Sequence, residues 1–223
     1  MTMKKTFFIL ITTTFIMCSC GQTSKKQTTV INNGIVNEQK ENDDNFLIKD
    51  EKFRQISLDE KIGNRTLEDY LSDEKISQTF KDVFQQRQSL NDDDETLALI
   101  DSLFSSDKER HPFYFVLVTR AMWWSDGAFS EPLVMAAKKY VELNTQQFLE
   151  YFSTEPVLTM FDFEQWAKYT LYEILVDAEG KEKEQIEKTK NLMTKNCVEC
   201  STKKIEMIEK FIENMYVEYD KVQ

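Results

Sequence analysis

Cys197 and Cys200, with Val198 and Glu199 between them, are the side chains whose spacing most directly suggests chemistry. Two thiols three residues apart can close a local disulfide, exchange with a partner thiol, or supply half of a zinc site. The richer options each lack a part. A thioredoxin-type redox motif lies between a strand and a helix, and nothing strand-like precedes Cys197. Covalent haem attachment requires a histidine after the second cysteine, where Ser201 stands. Zinc needs further ligands, and the chain holds one histidine, His111. Cys197 and Cys200 are therefore expected to form a local disulfide or turn staple, with free thiols and redox or metal use as the alternatives. Such a bridge closes a very short loop and constrains little of the unfolded chain.

The other standard constellations are absent. No HExxH, ExxH or GxSxG occurs, and five scattered glycines build no phosphate-cradling loop. His111, directly before Pro112 at a helix start, is expected at the surface or in a capping role. Asn91 to Glu95 is an acidic run, but Leu97 and Leu103 occupy positions where a calcium loop needs a glycine and a bidentate acid. It is expected to lie at a helix N-terminus, where negative charge is stabilising. Asp162, Glu164, Glu173 and Asp177 are abundant carboxylates on one helical segment, and Glu173 and Asp177 share a face. Nothing in the sequence places them in a cleft. No catalytic residue, metal ligand or cofactor is predicted. The least bland local feature is Trp123-Trp124-Ser125-Asp126-Gly127-Ala128-Phe129. Adjacent helical residues point about 100° apart, so both indoles are buried only in a helix covered on most sides. Otherwise Trp123, Trp124, Asp126 and Phe129 form a candidate binding surface, because tryptophan is enriched at interfaces.

The N-terminus carries an address. Lys4 and Lys5 precede an eleven-residue apolar stretch, Phe7 to Met17, which is too short to span a bilayer and suits a secretory leader. Met17-Cys18-Ser19-Cys20-Gly21 follows. This resembles the lipobox of bacterial lipoproteins, with an apolar residue at −3 and a small one at −1. The resemblance covers about the first 20 residues. It implies cleavage after Ser19 and acylation of Cys20, which would anchor the chain in a lipid membrane. Cys18 is the poorer candidate because Met17 would stand at its −1. In such lipoproteins an Asp after the cysteine favours inner-membrane retention. Gly21 stands there instead, so the resemblance points to the outer membrane. Residues 21–26 lack an acidic run, which favours the periplasmic face over the cell surface.

Composition sets the class of fold. Five glycines and three prolines in 223 residues leave few tight turns, so the elements should be long and helical. The expected fold is all-α, with about seven helices in an antiparallel bundle or short α-solenoid-like stack. The expected organisation is a leader at 1–19, a lipidated cysteine and flexible tether at 20–62, and a helical domain at 63–223. Thr66 with Asp69 reads as a capping box. Pro112 opens a segment apolar on nearly every side, Phe113 to Trp124, closed by Gly127; a buried strand at 113–118 is the alternative. Ser130-Glu131-Pro132 and Thr154-Glu155-Pro156 read as two further helix starts. Asp177 and Gly180 close the second of these. Residues 181–196 form a peripheral helix, and Ile205 to Val222 carry one continuous apolar stripe.

Acids outnumber bases by 39 to 28, and loss of Lys4 and Lys5 with the leader adds to the excess. That balance argues against nucleic acid as a partner. The leading expectation is a non-enzymatic, membrane-anchored protein-binding module, whose specific version is an immunity-type protein masking a basic toxin. The alternatives are a thiol-redox or chaperone-like protein using Cys197 and Cys200, or a cell-wall hydrolase. The anchor is directly testable. Replacing Cys20→Ser should move the protein from the membrane pellet to the soluble fraction, whereas Cys18→Ser should leave it in the pellet. Unchanged fractionation of the Cys20 variant would remove the anchor.

Overall fold

The structure, a computed structural model, describes residues 54–91, 93–125 and 127–223. The leader, Cys20, most of the expected tether and Asp126 lie outside the described residues. Among the described residues a short antiparallel ribbon comes first, β1 (Lys61–Ile62) paired with β2 (Arg65–Thr66), and nine α-helices follow: α1 (Leu67–Ser72), α2 (Gln78–Phe84), α3 (Asp94–Asp101), α4 (His111–Ala121), α5 (Gly127–Leu143), α6 (Thr145–Thr154), α7 (Met160–Asp177), α8 (Glu182–Asn196) and α9 (Thr202–Val222). A 3-10 turn, Ser102–Phe104, extends α3. The fold is all-α, and the strand alternative at 113–118 is replaced by α4. No helix among the described residues is long and apolar enough to cross a membrane.

Local signals explain many of the boundaries. Thr66 accepts from the Asp69 amide while Asp69 accepts from the Thr66 amide, the reciprocal capping box read from the sequence. Asp93, within the acidic run, caps α3 through the Thr96 amide. Gly180, at φ +78°, follows the end of α7.

The proline signals behave differently. Pro132 does not start a helix. It lies inside α5, which begins at Gly127, so Gly127 opens this helix rather than closing the one before it. The proline removes one hydrogen bond, that to the Ala128 carbonyl, close to the solvent-exposed first turn where water can replace it. Thr154-Glu155-Pro156 likewise starts nothing. Thr154 ends α6, and α7 begins at Met160 behind a second capping box made by Thr159 and Asp162. The reason is long-range: the Glu155 carboxylate accepts the Gly63 amide at 2.8 Å, across 92 residues of sequence. The chain between α5 and α6 turns at Asn144, dividing what the periodicity reads as one helix.

The core forms around α4. Phe113 to Ala121 are all buried, Arg120 included. Phe115 stacks on Trp166 at 5.1 Å and meets Tyr140, Phe148, Tyr151 and Phe152 within 6.2 Å. Aromatic pairs of this geometry contribute about 0.5–1.5 kcal/mol each beyond their burial. The Trp166 indole donates to Thr119 Oγ1 at 2.9 Å, so its polar atom is satisfied inside the core. α7 packs on α5 and α9, which completes the cover. The domain also reaches back before residue 63. Ile62 is fully buried, Glu60 and Leu58 accept the Leu67 and Glu68 amides, and Arg120 donates to the Arg54 carbonyl at 3.0 Å.

Gly63 turns the ribbon at φ +61°, and a Cβ there would lie 3.0 Å from Pro112 Cγ. Left-handed backbone costs a non-glycine residue about 1–2 kcal/mol. Gly63→Ala should therefore lower the urea midpoint by the equivalent of about 1–2 kcal/mol with an unchanged m-value. A wild-type midpoint would contradict the close packing of this turn.

Candidate functional site

Cys197 and Cys200 form a disulfide, with Cα atoms 5.3 Å apart, at the corner between α8 and α9. Cys197 is buried and Cys200 half-buried. Cys200 stands directly before Ser201, the N-cap of the 21-residue α9. The positive end of a helix stabilises a thiolate, which makes Cys200 the better leaving group. A thiolate arriving from solvent reaches the Cys200 sulfur first and must then expel Cys197, whose buried thiolate is the poorer leaving group. Access and leaving-group quality thus oppose each other, and the geometry favours a staple. In the chain-entropy picture a loop this short contributes about 2 kcal/mol.

At the tryptophan corner, Trp123 donates its indole N–H to Asp162 Oδ1 at 2.7 Å. The other Asp162 oxygen accepts both the amide and the hydroxyl of Thr159 at 2.8 Å. Burial pushes the Asp162 carboxyl up, against these hydrogen bonds and the Arg120 charge. Trp124 is half-buried, with the Arg120 guanidinium 5.8 Å from its ring. Phe129 is 1% exposed and belongs to the core, so it is not presented to a partner. The corner is held by internal bonds, and its indoles are at most partly available. Glu173 and Asp177 do meet: burial raises the Glu173 carboxyl, and its contact with Asp177 adds to this. Among the described residues no group of three His, Cys, Asp or Glu side chains is arranged to hold a metal ion.

An apolar opening lies elsewhere. A groove of about 590 Å³ runs between α3 with its 3-10 turn and the outer face of α5. Ile100 and Phe104 form one wall, and Pro132, Met135, Ala136 and Leu143 the other. Phe104 is 38%, Met135 57% and Leu143 60% exposed. Met135, Lys139 and Leu143 are four residues apart, so they share one helix face. Lys139 holds its ammonium 4.8 Å over the Phe104 ring. Lys138 pairs with Glu142 at 2.9 Å, and Glu142 also accepts the Thr189 hydroxyl at 2.7 Å. These three charges are partnered within the fold, and the exposed apolar side chains lie beside them and Asp101. A signal for it stood in the sequence: Met135 and Leu143 are apolar yet fall off the buried stripe of Leu133, Val134, Ala137, Tyr140 and Val141.

His111 is not at the surface. Expected there or at a cap, it is 3% exposed, and its ring lies between those of Tyr140 and Tyr151 at 6.0 and 5.7 Å. Its Nε2 faces the Leu103 carbonyl at 2.8 Å, and a carbonyl only accepts, so Nε2 carries the proton. Nδ1 must then accept from the Tyr151 hydroxyl at 2.7 Å. The Tyr151 oxygen in turn accepts from Gln147 Nε2, and Gln147 Oε1 accepts from the Tyr140 hydroxyl, both at 3.2 Å. Every proton in this chain has a determined direction. Burial drives the His111 ring below its ordinary pKa and both phenols above theirs, so all three stay neutral. Periodicity cannot reveal such a cluster, because its members come from α4, α5 and α6.

Comparison with protein-family models, with curated proteins and with solved structures finds no match to this chain.

The buried imidazole has a consequence for stability. Above pH 6.5 the ring is neutral both folded and unfolded, and its contribution is fully present. As the pH falls below 6.5 the unfolded chain takes up a proton that the buried ring refuses, so stability declines by up to about 1.4 kcal/mol per pH unit until the depressed folded value is reached. His111→Gln should remove this component of the pH dependence in urea melts. Because His111 is the chain's one histidine, its ring proton resonance in an untagged sample reports the same titration. A midpoint at or above 6.5 would contradict the neutral buried ring.

Proposed function

We propose that the protein is an acylated envelope lipoprotein, held at the periplasmic face of the outer membrane, that acts as a non-enzymatic protein-binding module. Its partner docks an apolar segment in the groove between α3 and α5. The observation that carries this reading is the exposed line of Phe104, Met135 and Leu143 along one continuous opening. Apolar side chains gathered on one face of a folded domain mark interaction sites more often than scattered ones do. Covering each of them contributes about 1–2 kcal/mol, enough for a specific complex once ordering costs are met. The lipobox resemblance supplies the location. The excess of acids favours a basic partner, and an immunity-type protein that masks a basic toxin is the specific form of this reading.

A photo-crosslinking residue at Lys139 tests it in intact envelopes. A discrete protein adduct is expected, and that protein should bind the purified lipoprotein at least tenfold more weakly when Met135→Asp and Leu143→Asp are combined. Both positions are solvent-exposed, so the double variant should melt like wild type. Absence of an adduct, or equal binding by the variant, would overturn the groove as the docking site.

A further inference from the structure

Beyond Leu143 the apolar groove gives way to a polar hollow of about 640 Å³, at the corner of α5, α6 and α8. Leu143 forms its edge, and its other walls are Asn144, Gln146, Gln147, Glu150, Tyr151 and Asn196. Four of these seven are carboxamides, and the one acid, Glu150, is paired with Lys204. A cation would find that carboxylate already neutralised, and an anion would find no unpaired base. The chemistry on offer is neutral, with donors and acceptors side by side.

Gln147 is the best-positioned of the four. The proton chain from Leu103 through His111 and Tyr151 determines which end of its amide is nitrogen, and the Tyr140 hydroxyl secures the oxygen. An exposed glutamine is thus held by buried groups, its nitrogen also 3.5 Å from His111 Nδ1, with a second oxygen lone pair still to use. Asn144 is the N-cap residue of α6, yet its side chain makes no capping bond. Asn196 spends one donor on the Glu142 carbonyl at 2.6 Å and keeps its oxygen.

A hydroxyl both donates and accepts, as a carboxamide does, and neighbouring hydroxyls on a sugar ring can pair with one carboxamide's oxygen and nitrogen. We propose that this hollow binds a short neutral oligosaccharide, with Gln147 as the pre-oriented contact and Asn144, Gln146 and Asn196 around it. The volume lies in the range of small-molecule sites, and the polar lining selects a polyol over an apolar ligand. This site does not rest on the protein-docking reading, and neither test decides the other.

The test is a side-chain amide NMR titration of the full-length protein, labelled with nitrogen-15 at Asn and Gln. The probes are maltotriose, cellotriose and triacetylchitotriose. At least one should shift the Gln147 and Asn144 amides with a Kd of about 1 mM or tighter. Asn144→Ala combined with Gln146→Ala should weaken that binding at least tenfold, with an unchanged thermal midpoint. No shift with any of the three, or equal shifts in the variant, would overturn the proposal. Equal shifts with acetyl-trialanine amide would also overturn it and reassign the hollow to peptide-backbone recognition.

Discussion

One constraint organises this molecule: α4 is apolar on every side and must be covered on every side. A helix with a single greasy stripe is satisfied by one neighbour, but one without a polar face needs a complete shell. The shell is supplied by α2 and the 3-10 turn, by α6 and α7, and by the ribbon that precedes α1. Inside it even the polar residues of α4 are enclosed. Thr119 bonds back to the Phe115 carbonyl and receives the Trp166 indole, so the helix polar groups are spent within the core.

That constraint was readable before any coordinates, since an unbroken run from Phe113 to Val118 followed by Ala121 and Met122 leaves no face for water. Helix limits set by neighbouring residues were readable too. Thr66 with Asp69, and Gly180 after Asp177, act within a turn or two of chain. The signals that misled are those overridden from far away. Thr154-Glu155-Pro156 has the composition of a helix start, but Glu155 is taken by the Gly63 amide on the ribbon. Pro132 has the composition of a first turn, but the helix had already begun five residues earlier.

The candidate sites were legible in a different way. Met135 and Leu143 could be noticed only as apolar residues that the buried stripe left over. His111 could not be placed, because its partners Leu103, Tyr140, Gln147 and Tyr151 come together through packing of three helices and a turn. The cysteine pair was legible as a bridge, while the coincidence of the accessible sulfur and the better leaving group at Cys200 needed the burial of Cys197 and the start of α9. The outer surface of α5 and α6 therefore changes character along its length, apolar beside Phe104 and Met135 and carboxamide-lined beyond Leu143.

The amide–carboxylate contact between Gly63 and Glu155 has a mechanical meaning. A pull on the described chain from its N-terminal side reaches the core through residues 54–60 and then the ribbon. That ribbon is pinned to the corner between α6 and α7, with Ile62 buried and Gly63 close against Pro112 at the start of α4. Tension from that side is thus delivered to the buried core. It would have to shear the ribbon from the core rather than peel away a peripheral helix such as α8, and shearing loads many contacts at once. Force applied from that end therefore loads the core and the corner between α6 and α7 before it loads α8.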